Sequence, residues 1–195
     1  KWCLVGEERV PVQRLDRLLF ESGQERPRAG EFLKIDTQGS ELEILRGARK
    51  TLRERTVAVF CEVSFAELYT GQGRFSEVES YLRDLDFAFY GFHHPRLRSK
   101  KNLQRAAYRG RERLIQADAV FFKDPLDHAS TLAPRVCDTL ILCATMLGYF
   151  EFAWELSAHL EADASEVSRV RDWIMAGSRI DQEAEIAAVR DLSDK

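Results

Sequence analysis

Phe32 to Leu52 reads FLKIDTQGSELEILRGARKTL, and the rest of the chain is arranged around it. Phe32, Leu33 and Ile35 form a short apolar run without helical period, as expected of a strand buried on both faces of a parallel sheet. The run stops at Asp36. Thr37-Gln38-Gly39 then makes a tight turn, with Gly39 free to take a positive φ. Ser40 has the chemistry of an N-cap, and Glu43 stands three residues on, the spacing of a capping box. From Glu41 the pattern is helical, with Leu42, Leu45, Ala48 and Leu52 on one face. The order is strand, polar turn, helix. In an open α/β sheet the ligand crevice lies beyond the carboxyl ends of the strands, where this turn places Asp36, Gln38 and Glu41.

The 195 residues suffice for one domain with a proper core and a small appendage. A net charge of −3 gives no bulk attraction to nucleic acid or membrane. No apolar run approaches the roughly 20 residues of a membrane span. Lys1 is not a methionine, so a lost leader stays open. None of the four cysteines (Cys3, Cys61, Cys137, Cys143) forms a Cys-x-x-Cys pair, and no zinc spacing is present. They read as buried free thiols of a reducing, cytoplasmic setting.

Upstream, Lys1 to Val12 reads as extended, with Leu4, Val5, Val10 and Val12 as its apolar members. Leu15 to Phe20 is a short helix or turn, and Glu21 to Glu31 a polar surface loop. Downstream, Thr56 to Phe65 is a second buried strand ending near Glu62 and Ser64. A loop with Tyr69 and Gln72 follows. Phe75 to Leu85 is an amphipathic helix. Phe87 to Phe92 and Ala119 to Lys123 are the third and fourth strands. Between them lies a basic loop holding Arg96, Arg98, Lys100, Lys101, Arg105, Arg109, Arg111 and Arg113. After Pro125 the character becomes helical. One helix opens at Pro134 and stops at Gly148. A second begins near Phe150, and a third spans about Ser165 to Ala176. From Gly177 the chain reads as a polar, partly ordered tail.

Leu33 to Ala48 (LKIDTQGSELEILRGA) resembles the K-I-D-x-E-G-x-E-x-x-x-L-x-G signature of the FkbM-type methyltransferases. Val10-Pro11-Val12 with Leu15-Asp16, the strand VAVFCEVSF (Val57 to Phe65), the segment Phe75 to Phe92 and ADAVFFK (Ala117 to Lys123) extend the likeness over Val10 to Asp124. Gln38 departs from it, standing where the family usually has glutamate. The resemblance implies an α/β, Rossmann-like class I methyltransferase sheet using S-adenosyl-L-methionine, and O-methylation of a hydroxyl on a sugar or secondary metabolite. The glycine-rich turn and ribose-holding acid that such a fold carries earlier are not found, and Gly71-x-Gly73 leads into no suitable βαβ unit. The expected organisation is therefore residues 1–125 as the C-terminal part of a methyltransferase domain, incomplete at the N-terminus, and 126–195 as a C-terminal helical extension. The Phe32 strand would then expose a sheet edge, and either that edge or the helices would support a homo-oligomer. The isolated chain is expected not to bind S-adenosylhomocysteine at micromolar concentration.

Methyl transfer to oxygen needs an acceptor held against the methyl group and a base for its proton. Asp36 is the first candidate, by resemblance close to the reactive end of the cofactor. Glu41 and Gln38 are candidate proton-handling groups, and Glu62, Tyr69 and Gln72 candidates for contact with a small-molecule or glycan acceptor. Each has a plainer reading: Asp36 bonding its own turn, Glu41 complementing a helix dipole, Tyr69 packing a loop. No metal is assigned; Asp36, Glu41 and Glu62 around a hard divalent cation is the lesser reading. The basic loop reads first as a solvated surface, and otherwise as a lure for an anionic acceptor. With Tyr108 its only internal aromatic, it makes a poor nucleic-acid platform. The four histidines lack ligand spacing. The rival to an enzyme is a non-catalytic module that engages a partner through the basic loop and the C-terminal helices.

Overall fold

The computed structural model describes residues 6, 8–21, 29–97, 112–126 and 134–193. They form a mixed α/β fold around a four-stranded open sheet. Helix α1 (Leu15–Phe20) leads into β1 (Phe32–Ile35), α2 (Glu41–Gly47), α3 (Arg49–Glu54), β2 (Ala58–Ser64) and α4 (Phe75–Arg83). The strands β3 (Ala88–Leu97) and β4 (Leu114–Phe122) follow, then α5 (Pro134–Met146), α6 (Phe150–Leu156) and α7 (Ala164–Ser193). The sheet order is β1-β2-β4-β3. β1 and β2 are parallel, joined by the crossover that parallel pairing requires, whereas β4 lies antiparallel between β2 and β3.

Period-two alternation divides the sheet into two buried faces. Ile35, Cys61, Val63 and Phe121 pack against Leu42, Leu45, Leu52, Val78 and Leu82 of α2 to α4. Ala58, Val120 and Phe122 pack against Leu140, Phe152, Leu156 and Ile174 of α5 to α7. The helices after Pro125 thus complete the second layer of the sheet. Cys61, Cys137 and Cys143 are free and buried; Cys3 lies outside the described residues. Burial pushes the Cys143 thiol up to about 11.

Several sequence expectations need correction. β1 is not buried on both faces: Phe32 and Lys34 are exposed, because β1 is an edge strand that pairs, among the described residues, with β2 alone. β3 and β4 run further than expected and shorten the basic loop: Arg96 lies in β3, while residues 98–111 are outside the described set. Pro95 cannot donate to the ladder, and the register shifts between His93 and Arg96. Gly177 does not begin a tail, because α7 continues to Ser193. A glycine that packs closely costs a helix only about 1 kcal/mol, and a Cβ at Gly177 would lie 3.2 Å from Phe150. Gly148, by contrast, ends α5 as expected, at φ 81°. The amides of Gly148 and Tyr149 return to Thr145 and Ala144, a Schellman arrangement.

The predicted helix from Glu41 to Leu52 is two helices that break at Ala48. Alanine offers no cap, so α3 takes one from α1. The Asp16 carboxylate accepts the Lys50 and Thr51 amides at 2.9 and 2.8 Å and the Thr51 hydroxyl at 2.7 Å. At the other end Lys123 Nζ donates to the carbonyls of Leu52 and Arg53, although burial lowers its pKa. Asp16→Ala strands two amides and a hydroxyl, so it is expected to cost about 1–2 kcal/mol in urea unfolding.

Candidate functional site

β1 delivers its last residue to the carboxyl edge, and the turn after it is held open by a buried acid. Glu41, 3% exposed, folds its carboxylate back into the loop. It accepts the Thr37 amide at 2.9 Å, the Thr37 hydroxyl at 3.1 Å and the Gly39 amide at 3.0 Å. The Ser40–Glu43 capping box expected from spacing is absent; Ser40 makes no side-chain cap and instead donates to Thr37 Oγ1. Glu41 competes better, because a carboxylate is the stronger acceptor for loop amides. Gly39 takes φ 122°, and a Cβ there would lie 3.0 Å from the Tyr69 ring. Gln38 takes φ 57°, a conformation that costs a non-glycine residue about 1–2 kcal/mol.

Hydrogen bonds offset that strain. Gln38 Nε2 donates to Asp36 Oδ1 and to Glu62 Oε2, both at 2.9 Å. Its Oε1 accepts the Tyr69 hydroxyl at 2.9 Å. The amide bridges the tips of the two parallel strands. Only one orientation satisfies three partners, since two carboxylates demand the NH₂ and a phenol can donate to the carbonyl. Four residues singled out from sequence, Asp36, Gln38, Glu62 and Tyr69, therefore form one connected cluster. Gln72 stands apart, donating to Ser64 Oγ at 3.0 Å and accepting the Leu68 amide. Glu41 lies one layer behind.

Sequence reading missed the partners supplied by the neighbouring strands. Asp118 faces Glu62 across the β2–β4 ladder. Lys34 reaches Asp36 at 3.5 Å and Asp118 at 3.4 Å. His94 Nδ1 lies 3.0 Å from Asp118, and the Arg96 guanidinium 4.0 Å from Glu62. The signal was present as misplaced polarity: a lysine inside an apolar strand, and an acid between the two alanines of ADAVFF. Phe60, His93 and Tyr149 extend the same face as a run of rings, with centroids 5.7 Å and then 5.9 Å apart.

Glu62 is 4% exposed and its carboxyl is held above the usual range, first by burial, then by Asp36. Glu41 and Asp118 add to the rise, and Arg96 opposes it. A raised acid binds its proton more tightly in the folded state, so this group favours folding at low pH and loses that advantage as pH rises through its folded pKa. Glu62→Gln keeps an acceptor for Gln38 and removes the disfavoured charge. Its melting temperature should exceed the parent's at pH 7, and the difference should fade below the ordinary value of 4.5, as read by thermal scans across pH.

Among the described residues, no three His, Cys, Asp or Glu side chains are grouped to hold a metal ion. Asp36 and Glu62 present two carboxylates at the strand tips, with Lys34 and Arg96 as neighbouring cations. Residues 4–89 match the family model described as the methyltransferase FkbM domain. This stretch belongs to the FkbM family. The match covers the strand–turn–helix, the capping aspartate Asp16 and the Glu62 strand of the FkbM-type domain, and it ends at Phe89, within β3. No curated protein and no solved structure matches the chain. No helix among the described residues is long and apolar enough to cross a membrane.

Proposed function

We infer that this methyltransferase uses S-adenosyl-L-methionine to methylate a hydroxyl on a sugar or secondary metabolite, on a Rossmann-like sheet of which β1 to β4 are the acceptor side. One observation carries the reading: an amide that ties together carboxylates on two adjacent parallel strand tips, at the edge where open α/β sheets place ligands. The closing antiparallel strand between β2 and β3 agrees with it. When bound, the cofactor supplies an electrophilic methyl group. Asp36, 46% exposed at its side chain, orients the acceptor hydroxyl and takes its proton. Glu62 is the second carboxylate at the strand tips, its carboxyl held above the ordinary range by burial and by Asp36. Gln38 fixes the spacing of the pair, Tyr69 fixes Gln38, and Glu41 holds the loop. Three buried free thiols agree with a cytoplasmic setting.

The test uses the protein as encoded by its own gene, S-adenosylmethionine labelled in its methyl group, and the glycan and small-metabolite fractions of the host. Label is expected in a hydroxyl-bearing product, with equimolar S-adenosylhomocysteine. Absence of both, in every fraction, would sink the reading.

A further inference from the structure

The chemistry above leaves a second concave surface unused. Helix α2 runs away from the strand tips for seven residues, about 10 Å at its usual rise. Near its end, residues of α1 and α3 join it to line a cleft of about 670 Å³, the size of a small-molecule site. Arg14, Arg17, Arg46 and Lys50 line it against two acids, Asp16 and Glu21, a surplus of two positive charges. The whole chain, by contrast, carries −3.

The two acids are already engaged. Asp16 caps α3, and Glu21 lies 3.8 Å from Arg17. Lys50 sits 4.1 Å from the centroid of Phe20. Arg14 and Arg46 have neither an ion pair nor a side-chain hydrogen bond among the described residues. The stem of Arg14 crosses Gly47, 3.6 Å from where a Cβ would stand. Its head lines the cleft together with Arg46.

The chemistry of a fitting ligand follows from what is free and what is taken. The first amides of α3 are spent on Asp16, so side chains must do the binding. Phe20 is already faced by Lys50 and by Arg55 at 4.4 Å, which leaves no ring for a nucleobase. Two uncommitted guanidinium forks match the oxygen geometry of phosphate, and a surplus of two charges matches a dianion.

We propose that this cleft is a second ligand site, holding the phosphate or pyrophosphate group of a small molecule between Arg14 and Arg46. Lys50 and Arg17 complete its positive wall. The site is independent of methyl transfer, lying at the far end of α2 from Asp36.

Calorimetry on the full chain tests it, with pyrophosphate, inorganic phosphate, glucose 6-phosphate and sulfate each raised to about 10 mM. At least one phosphate compound should bind, more tightly than sulfate, and Arg14→Gln with Arg46→Gln should weaken it about tenfold or more. Since neither arginine holds the fold together, the double variant should melt with the parent. The pyrophosphate and sugar-phosphate arms separate an inorganic from an organic source. Asp36→Asn should leave binding unchanged, which keeps this outcome distinct from that of the methyl-transfer assay. No heat with any phosphate compound, equal binding of sulfate, or unchanged affinity in the double variant would each overturn the proposal.

Discussion

Asp36→Asn is expected to lower methyl transfer by about 10²–10⁴-fold, the usual contribution of a positioned proton acceptor, with little change in stability. The substitution keeps an oxygen for Gln38 Nε2, so the bridge to Glu62 survives. What it removes is a half-exposed charge whose nearest cation, Lys34, lies 3.5 Å away. A surface pair of that kind contributes only about 0–1 kcal/mol. A large loss of turnover at an unchanged melting temperature therefore separates chemistry from folding. If turnover persists within a few-fold of the parent, Asp36 is not the base, and Glu62 becomes the next residue to replace. If the protein melts far below the parent, the loss reports a damaged turn instead.

The second large effect is structural. Phe122 is fully buried on the last strand, with ring centroids 4.8 Å from Tyr90, 5.4 Å from Tyr149 and 5.5 Å from Phe152. It is the meeting point of sheet and helical layer. Phe122→Ala leaves a cavity that the surrounding rings cannot close, at a cost of about 3–5 kcal/mol. For a chain of this size each kcal/mol lowers the melting temperature by about 2–4 °C. Two of the three tryptophans, Trp154 and Trp173, lie on α6 and α7, so most of the tryptophan fluorescence should report the helical layer. An early fluorescence transition, ahead of the loss of backbone circular dichroism, is expected. A variant as stable as the parent would show that the helices lean on the sheet only lightly.

The strand–turn–helix was legible because its signals are local. An apolar run, a turn glycine and a leucine face at helical spacing each act within a few residues, and Leu42, Leu45, Ala48 and Leu52 are indeed buried. The break at Ala48 was not legible, because the groups that make α3 a separate helix are Asp16 and Lys123, far away in sequence. The site divides in the same way. Asp36, Gln38, Glu62 and Tyr69 were found from strand ends and loop position. Asp118, Lys34, His94 and Arg96 depend on a strand order that sequence spacing does not encode. The one departure from the family pattern, Gln38, turned out to be the hub. A glutamate there could donate to Asp36 or Glu62 only when protonated, whereas the amide donates to both at any pH.

The close approach between strand and helix at Gly91 has a consequence for how this chain can diverge. A Cβ at Gly91 would lie 2.9 Å from the Tyr149 hydroxyl oxygen, so position 91 can gain a side chain only if that phenol moves or is replaced. Gly91→Ala should be harmful beside tyrosine and tolerated beside a phenylalanine at position 149, which lacks that oxygen. Position 91, on β3, is thus constrained by a side chain 58 positions later, just ahead of α6. A lineage that shed the C-terminal helices would at once release position 91 to vary, leaving a record of the loss in a strand the deletion never touched.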